Sequence, residues 1–322
     1  MKRFLQWWKG QPVLGISLLA ALVSMCFVPP DAGYLSYCNR AVLIQLFCLM
    51  LTVAGLRSIG VFEQVTQNLL KRAGTVRRVG MFLVQLCFFS AMLVTNDVAL
   101  LTFVPLTLLL FQEIGDEKSR IWVIVLETAA ANLGSMMTPV GNPQNLYLYG
   151  KTQMSAGTFI LLMLPYSLVS LLLLMICVVI VAKRSGIEVR GAEVLLTEDE
   201  KLEQKKYLLP AYLLLFVLCL LTVAHMIPYP VTLGTVALAV LLLDRGTLIK
   251  VDYSLLLTFV GFFIFIGNMG RMPAFCDFLQ KIIGGREVMT AVIASQVISN
   301  VPAALLLSGF TENITALIIG TN

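Results

Sequence analysis

The chain has 322 residues, of which 58% are hydrophobic and only 13% are charged. Soluble domains have roughly a quarter charged residues, so the composition predicts an all-α polytopic membrane protein and excludes a soluble class. The formal net charge of +5 lies in loops between apolar segments. Basic residues in such loops indicate the orientation of the chain in a membrane rather than nucleic-acid binding.

Several uninterrupted apolar segments approach the roughly 20 helical residues that cross a bilayer. We predict spans at residues 13–28, 41–56, 121–137, 156–181, 207–226, 231–243 and 254–269. The first span follows Lys2, Arg3 and Lys9 and precedes two prolines rather than a small-residue cleavage motif. We therefore interpret it as a membrane span and not as a signal peptide.

Two further apolar segments are broken by polar residues. The breaks are Thr95-Asn96-Asp97 in the segment of about 79–111 and Ser299-Asn300-Val301-Pro302 in the segment of about 286–310. Unpaired backbone in hydrocarbon is costly, so such a break must be buried in protein or line a wet cavity. The pieces on either side of the first break are too short to span, which predicts re-entrant helical hairpins. Pro302 marks a helix start in the second.

The order of span, interfacial stretch, hairpin and broken span occurs twice. The interfacial stretches end at Lys71 and Ile283. Basic loop residues place the N-terminus in the cytoplasm, and the two hairpins then enter from opposite faces. This pattern predicts inverted repeats. The halves are residues 1–182, with a broken helix at about 121–150, and residues 207–322, joined by a cytoplasmic linker loop at 183–206.

The hairpin tips have the chemistry of an ion or substrate site. Thr95, Asn96, Ser299 and Asn300 supply side-chain oxygens that suit a hard cation such as Na⁺, whereas helix N-termini suit anions. Asp97 is either a cation- or proton-coupling group or the N-cap of a helix that begins at Val98.

The span at 121–137 runs into a stretch with two prolines, which interrupt the helical hydrogen bonds. Candidate binding residues in and around this stretch are Asn132, Thr138, Gly141, Asn142, Pro143 and Asn145. The pattern indicates an unwound segment that faces the first tip, and a plain span end with a Pro-Gly turn is the alternative. Glu127 is either a buried functional acid or an interfacial acid paired with a basic loop residue.

These motifs carry a family resemblance. They are Thr95-Asn96-Asp97-Val98-Ala99-Leu100-Leu101-Thr102, Asn132-Leu133-Gly134-Ser135, Gly141-Asn142-Pro143-Gln144-Asn145-Leu146 and Ser299-Asn300-Val301-Pro302-Ala303-Ala304. Over nearly the whole chain the sequence resembles the citrate-transporter-like permeases of the ion transporter superfamily. The resemblance implies tips that bind sodium and a substrate carboxylate, elevator-type movement of the hairpin domain, and a homodimer.

The sequence departs from the family pattern at two places. Asp97 and Val301 stand where dicarboxylate symporters have Thr, which brings the first tip closer to the arsenite-permease and antiporter branch. Gly320-Thr321-Asn322 resembles the start of the Asn132 motif, so Thr321 and Asn322 are further candidate site residues. The last helix is expected to be truncated there, because the residues from Thr311 onward are too few to span.

The sequence therefore predicts a secondary transporter of the cytoplasmic membrane, coupled to Na⁺ or H⁺, for a small anion such as a di- or tricarboxylate. A sodium/proton antiporter or arsenite-type permease is one alternative, and a truncated remnant without transport is another. An enzyme is not expected, because His225 is the only histidine and the cysteines have no metal-ligand spacing. No cofactor besides the coupling ion and no nucleic-acid partner is expected.

Overall fold

The computed structural model describes residues 11–61, 75–114, 116–182 and 206–322. The α-helices of this part are α1 (Pro12–Phe27), α2 (Tyr34–Tyr37), α3 (Arg40–Ser58), α4 (Val76–Val94), α5 (Asn96–Ile114), α6 (Glu117–Ser135), α7 (Pro143–Tyr149), α8 (Ala156–Ala182), α9 (Leu209–Val223), α10 (Tyr229–Leu243), α11 (Tyr253–Gly270), α12 (Pro273–Ile283), α13 (Glu287–Ile298), α14 (Asn300–Leu307) and α15 (Ile314–Gly320). The basic N-terminus, the first interfacial stretch and nearly all of the linker at 183–206 lie outside the described residues.

By length and composition, α3, α4, α8 and α11 can each cross a membrane, and α1, α9, α10 and α13 are shorter apolar helices. The all-α, polytopic fold class is thereby confirmed. The span predicted at 207–226 ends earlier, at Val223, because His225 adopts a positive φ of 62°. The N–H groups of His225 and Met226 donate to the carbonyl oxygens of Thr222 and Leu221, which closes the helix in a Schellman motif.

The chain divides into two compact units, each built from segments that are distant in sequence. The first comprises Met1–Met50, Leu146–Gln153 and Lys250–Asn322, and the second comprises Leu51–Asn145 and Met154–Ile249. Each unit combines segments of both predicted halves. The halves at 1–182 and 207–322, and the inverted repeat between them, stay predictions.

The second unit contains the first hairpin, whose arms α4 and α5 pack with α6 and α8 around one apolar core. This core consists of Val84, Cys87, Phe88, Ala91, Ala99, Phe103, Leu106, Leu126, Ala130, Ala131, Leu174 and Val178. Each arm has 19 residues, or about 28 Å of helix. The prediction that each arm is too short to span is therefore wrong for α4, whereas the apolar part of α5, Asn96–Leu108, is shorter than a span. The Thr75 hydroxyl oxygen caps α4 by accepting from the Arg78 N–H, so the helix includes charged residues that precede the apolar run.

Arg57 compensates for a proline inside the second arm. Pro105 has no N–H, so the carbonyl of Leu101 lacks its usual helical donor. The Arg57 guanidinium donates to that carbonyl oxygen at 2.7 Å. The contact ties the end of α3 to the hairpin within this unit.

We expect Arg57→Ala to lower the free energy of unfolding by about 1 kcal/mol, because one hydrogen bond from a charged donor is lost. In a Pro105→Ala background the same change should cost much less, since the new N–H at position 105 can donate to the Leu101 carbonyl. A double-mutant cycle of detergent-solubilised protein measures this coupling. Equal costs in the two backgrounds would contradict the compensating role of Arg57.

The first unit contains the second hairpin, which is much shorter. Its arms α13 and α14 have 12 and 8 residues, or about 18 and 12 Å. Neither arm alone has the length of a span. Helix α15 packs against α13 and α14.

An ion pair in the first unit explains a basic residue at an unexpected place. With a cytoplasmic N-terminus, the seven predicted spans place Arg271, which follows the last of them, outside, where basic residues are disfavoured. Its guanidinium lies 2.8 Å from an Asp31 carboxylate oxygen and also donates to the Tyr37 hydroxyl at 3.1 Å. The hydrogen bond from Arg271 lowers the pKa of Asp31. The positive charge of Arg271 is therefore paired with Asp31 in the same unit.

Candidate functional site

The two polar breaks have the same backbone geometry. Thr95 has φ 78° and ψ 151°, and Ser299 has φ 76° and ψ 159°. Positive φ with extended ψ is a region used almost only by glycine, and it costs other residues on the order of 1–3 kcal/mol. In both hairpins an asparagine follows and begins the second arm, Asn96 in α5 and Asn300 in α14. A shared strained conformation at two separate breaks points to function rather than to an accident of packing.

The broken span holds the first tip in place. Helix α6 ends at Ser135, and the chain turns through residues 136–142 before α7 begins. The Asn96 N–H donates to the Gly141 carbonyl at 3.1 Å. The Thr138 hydroxyl donates to the Met92 carbonyl, in the last turn of α4. The segment after α6 is therefore an unwound stretch against the tip, as predicted, and not a plain span end.

A relay of side-chain amides fixes the orientation of Asn96. The Thr128 carbonyl can only accept, and it receives a hydrogen bond from the Asn132 Nδ2 at 2.9 Å. The Asn132 Oδ1 then faces Asn96 and accepts from its Nδ2 at 3.0 Å. The Asn96 Oδ1 is consequently directed elsewhere. It is buried and has no hydrogen-bond partner in the part of the chain that the structure describes.

This unpartnered oxygen distinguishes the tip chemically. Buried polar atoms are nearly always hydrogen-bonded, so an exception needs an explanation. An amide oxygen is an acceptor that suits a hard cation or a hydrogen-bond donor. Asn96 therefore has one amide edge anchored to α6, while the oxygen on the other edge has no partner among the described residues.

Asn142 and Asn145 hold the unwound turn together. The Asn145 Nδ2 donates to the carbonyl oxygens of Ser135, Met136 and Thr138 at 3.4, 3.2 and 3.1 Å. The Asn142 side chain accepts from the Asn145 N–H at 2.8 Å and donates to the Ser135 Oγ at 3.2 Å. Both side chains are buried. These contacts are those of residues that shape the site, and direct ligand contact by either side chain stays a prediction.

The other predicted residues of the first tip lie at the starts of helices. Pro143 is the first residue of α7, where a missing N–H costs nothing. Asp97 is exposed and lies in the first turn of α5, where the helix dipole stabilises a carboxylate. Its prediction as the N-cap of a helix from Val98 is wrong. The positive φ of Thr95 ends α4 and lets α5 begin at Asn96.

The second tip repeats part of this arrangement. Ser299 is exposed, and Asn300 is half-buried at the start of α14. Pro302 is buried inside the first turn, so it follows the helix start rather than marking it. The Thr321 hydroxyl donates to the Leu317 carbonyl at 2.8 Å. The Asn322 Nδ2 donates to the Ile318 carbonyl, four residues earlier, at 2.7 Å, as Asn132 does to Thr128.

Ser135 is a site residue that the sequence reading did not single out. Its hydroxyl donates to the Asn132 carbonyl at 2.8 Å and accepts from the Asn142 side chain. It therefore connects the residue that orients Asn96 to the turn. The available signal was its place at the last helical position before the Pro-Gly stretch.

Comparison with known proteins supports the sequence resemblance. The family model described as citrate transporter matches residues 4–319. An uncharacterized transporter of Methanocaldococcus jannaschii is 31% identical over 87% of this chain and 74% of its own length. An inner membrane protein of Escherichia coli is 30% identical over 99% of this chain and 84% of its own length. A silicon efflux transporter of Oryza sativa subsp. japonica is 28% identical over 50% of this chain and 34% of its own.

The family match covers nearly the whole chain, and transporters are prominent among its relatives. These findings confirm the predicted resemblance and the prediction of a transporter rather than an enzyme. The apolar helices agree with a multi-pass position in a lipid bilayer. The chain therefore belongs to the citrate transporter family and is a secondary transporter of anions.

Proposed function

We propose that the protein couples the movement of a small anion, such as a di- or tricarboxylate, to a gradient of Na⁺ or H⁺. The observation that carries the proposal is the matched backbone of the two tips, with Thr95 and Ser299 each in a conformation that L side chains rarely adopt. Strain of this kind persists where the surroundings hold it for a purpose. In this proposal each tip presents its asparagine to the transported species.

The first tip offers two kinds of binding group, an acceptor oxygen and a helix N-terminus. The Oδ1 of Asn96, which has no partner among the described residues, offers an acceptor for a cation or for a hydrogen-bond donor of the substrate. The first turn of α5 offers the partial positive charge of a helix N-terminus to an anion. The proposal includes elevator-type movement of the hairpins and a homodimer, which rest on the family resemblance. It also includes a cytoplasmic N-terminus, which rests on the basic loop residues.

A second candidate is a permease for a small hydroxylated solute of the arsenite or silicon type. The relative from Oryza sativa, whose name describes silicon efflux, favours it. The acidic residue at the first tip, Asp97, also fits this branch better than the dicarboxylate symporters. Competition of arsenite or silicic acid with uptake of a carboxylate separates the two candidates.

We expect Asn96→Ala and Asn300→Ala each to abolish uptake in proteoliposomes while leaving protein yield and melting temperature nearly unchanged. The reason is that each change removes one tip amide without opening a large cavity. Gln280→Ala is the control, because it removes an exposed amide from α12 in the same unit as Asn300. Normal transport by both tip variants would contradict a binding role for the tips.

A further inference from the structure

Glu127 is a buried acid that the tip site does not use. It lies near the middle of α6, and its side chain is 0% exposed. The hairpin arms α4 and α5 and the long helix α8 all pack against α6. The adjoining residues Leu126, Ala130 and Ala131 belong to the apolar core of the second unit. A carboxyl group in such a place needs a reason, because burial of an ionisable group in a membrane protein is expensive.

The carboxyl group is only half satisfied. The Thr107 hydroxyl on α5 donates to the Glu127 Oε1 at 2.7 Å. The Oε2 is buried and has no hydrogen-bond partner among the described residues. An ionised carboxylate would lack a second donor there, and a neutral acid would lack an acceptor for its O–H. The arrangement is therefore suited to a group that changes partners rather than to a fixed structural contact.

Among the described residues, the groups that contact Glu127 do not include a cation. From α4, the Cys87 thiol contacts the backbone carbonyl of Glu127 at 3.4 Å and not its carboxyl group. From α5, the contact is the neutral Thr107. From α8, the core residues are the apolar Leu174 and Val178. On α6 itself, Arg120 forms its ion pair with Glu117. Within the described residues, no ion pair therefore compensates a charge on Glu127, and the neutral acid is the favoured form.

Asp97, the acid at the first tip, is in the opposite situation. It is exposed in the first turn of α5, where water and the helix dipole stabilise the charged form. A group that must carry a proton through an apolar environment needs a stable neutral form there. Glu127 meets that requirement, and Asp97 does not.

We propose that Glu127 is the proton-binding group of this transporter, with the coupling ion H⁺, an inference that rests on the ion-coupled transport proposed above. An O–H bond forms at Oε2 when a hydronium ion on one side of the membrane gives up a proton, which breaks one O–H bond of that ion and leaves water. The neutral acid is carried with α6 and keeps its hydrogen bond from Thr107. When water reaches Oε2 from the other side, the O–H bond breaks, the proton passes to that water and a carboxylate is left.

Infrared spectra of purified protein test the protonation directly. The C=O stretching band of a protonated carboxylic acid should be present in the wild type near neutral pH and absent from Glu127→Gln. It should persist in Glu117→Gln, the matched control, whose acid lies on the same helix with a 75% exposed side chain. A protonated-acid band that is unchanged in Glu127→Gln would overturn the proposal.

Transport in proteoliposomes tests the coupling, with radiolabelled citrate, succinate and sulfate as probes. Wild-type and Glu117→Gln protein should accumulate at least one probe faster under an inward proton gradient. Glu127→Gln should lose this response, and Glu127→Asp, which keeps an acid, should regain part of it. A full gradient response in Glu127→Gln would contradict coupling through this residue. Wild-type protein that carries none of the probes would contradict the proposed function instead, while the spectra still decide whether Glu127 holds a proton.

Discussion

Gly141→Ala is expected to destabilise the protein by about 3 kcal/mol and to disorganise the first tip. A Cβ at this position would lie 2.0 Å from the Ser135 carbonyl oxygen. That oxygen is a backbone atom which also accepts from the Asn145 side chain, so it cannot move aside without disturbing the turn. The Gly141 carbonyl would be displaced as well, and with it the hydrogen bond from the Asn96 N–H.

Gly234→Ala provides the matched control for this prediction. Gly234 lies inside α10, and a Cβ built there meets nothing within 4 Å. Alanine in a helix interior is favoured over glycine by roughly 0.5–1 kcal/mol. The melting temperature in detergent should therefore fall for Gly141→Ala and stay constant or rise for Gly234→Ala. Similar shifts in the two variants would contradict the close packing of the turn.

Asn145→Leu is expected to cost about 3 kcal/mol of stability, although leucine has nearly the same size. The side chain is fully buried, and its Nδ2 is shared among three carbonyl oxygens of the turn. Leucine would leave these acceptors without that donor in a place closed to water. Asn145→Asp should be at least as harmful, because a carboxylate would face the same carbonyl oxygens.

The melting temperatures of both Asn145 variants, measured in detergent beside Gln280→Leu, check this prediction. Gln280 is an exposed amide on α12, so its replacement should have little effect. Transport should fall together with stability in the Asn145 variants, because the turn positions Asn96. A stable Asn145→Leu protein would show that the turn does not depend on this amide.

The approximate positions of the helices and of both breaks could be predicted from sequence, because each depends on local composition. Apolar runs indicate the helices, and polar residues inside such runs indicate the breaks at Thr95 and Ser299. The start of α5 could not be predicted in the same way. The start of α5 depends on the positive φ of Thr95. The nearby Met92 carbonyl accepts a hydrogen bond from Thr138, which lies 46 residues after Met92 in the chain.

The roles of the individual site residues were harder to predict, since they depend on how the helices pack. Asn142 and Asn145 are recognisable from sequence as polar residues at a break. Only the folded structure shows that their side chains form hydrogen bonds within the turn. The same holds for Glu127, whose contact with Thr107 joins residues 20 positions apart on two helices. From sequence alone, this acid was equally compatible with a surface ion pair.

Ion-coupled transport is tested by anion uptake into proteoliposomes that contain the purified protein, with Na⁺ and H⁺ gradients imposed separately. If the protein is an ion-coupled anion transporter, uptake of at least one small anion should be saturable and depend on one of the two gradients. It should disappear in Asn96→Ala and in Asn300→Ala. Uptake that equals that of protein-free vesicles under both gradients, or that is unaffected by loss of either tip amide, would contradict the proposed function.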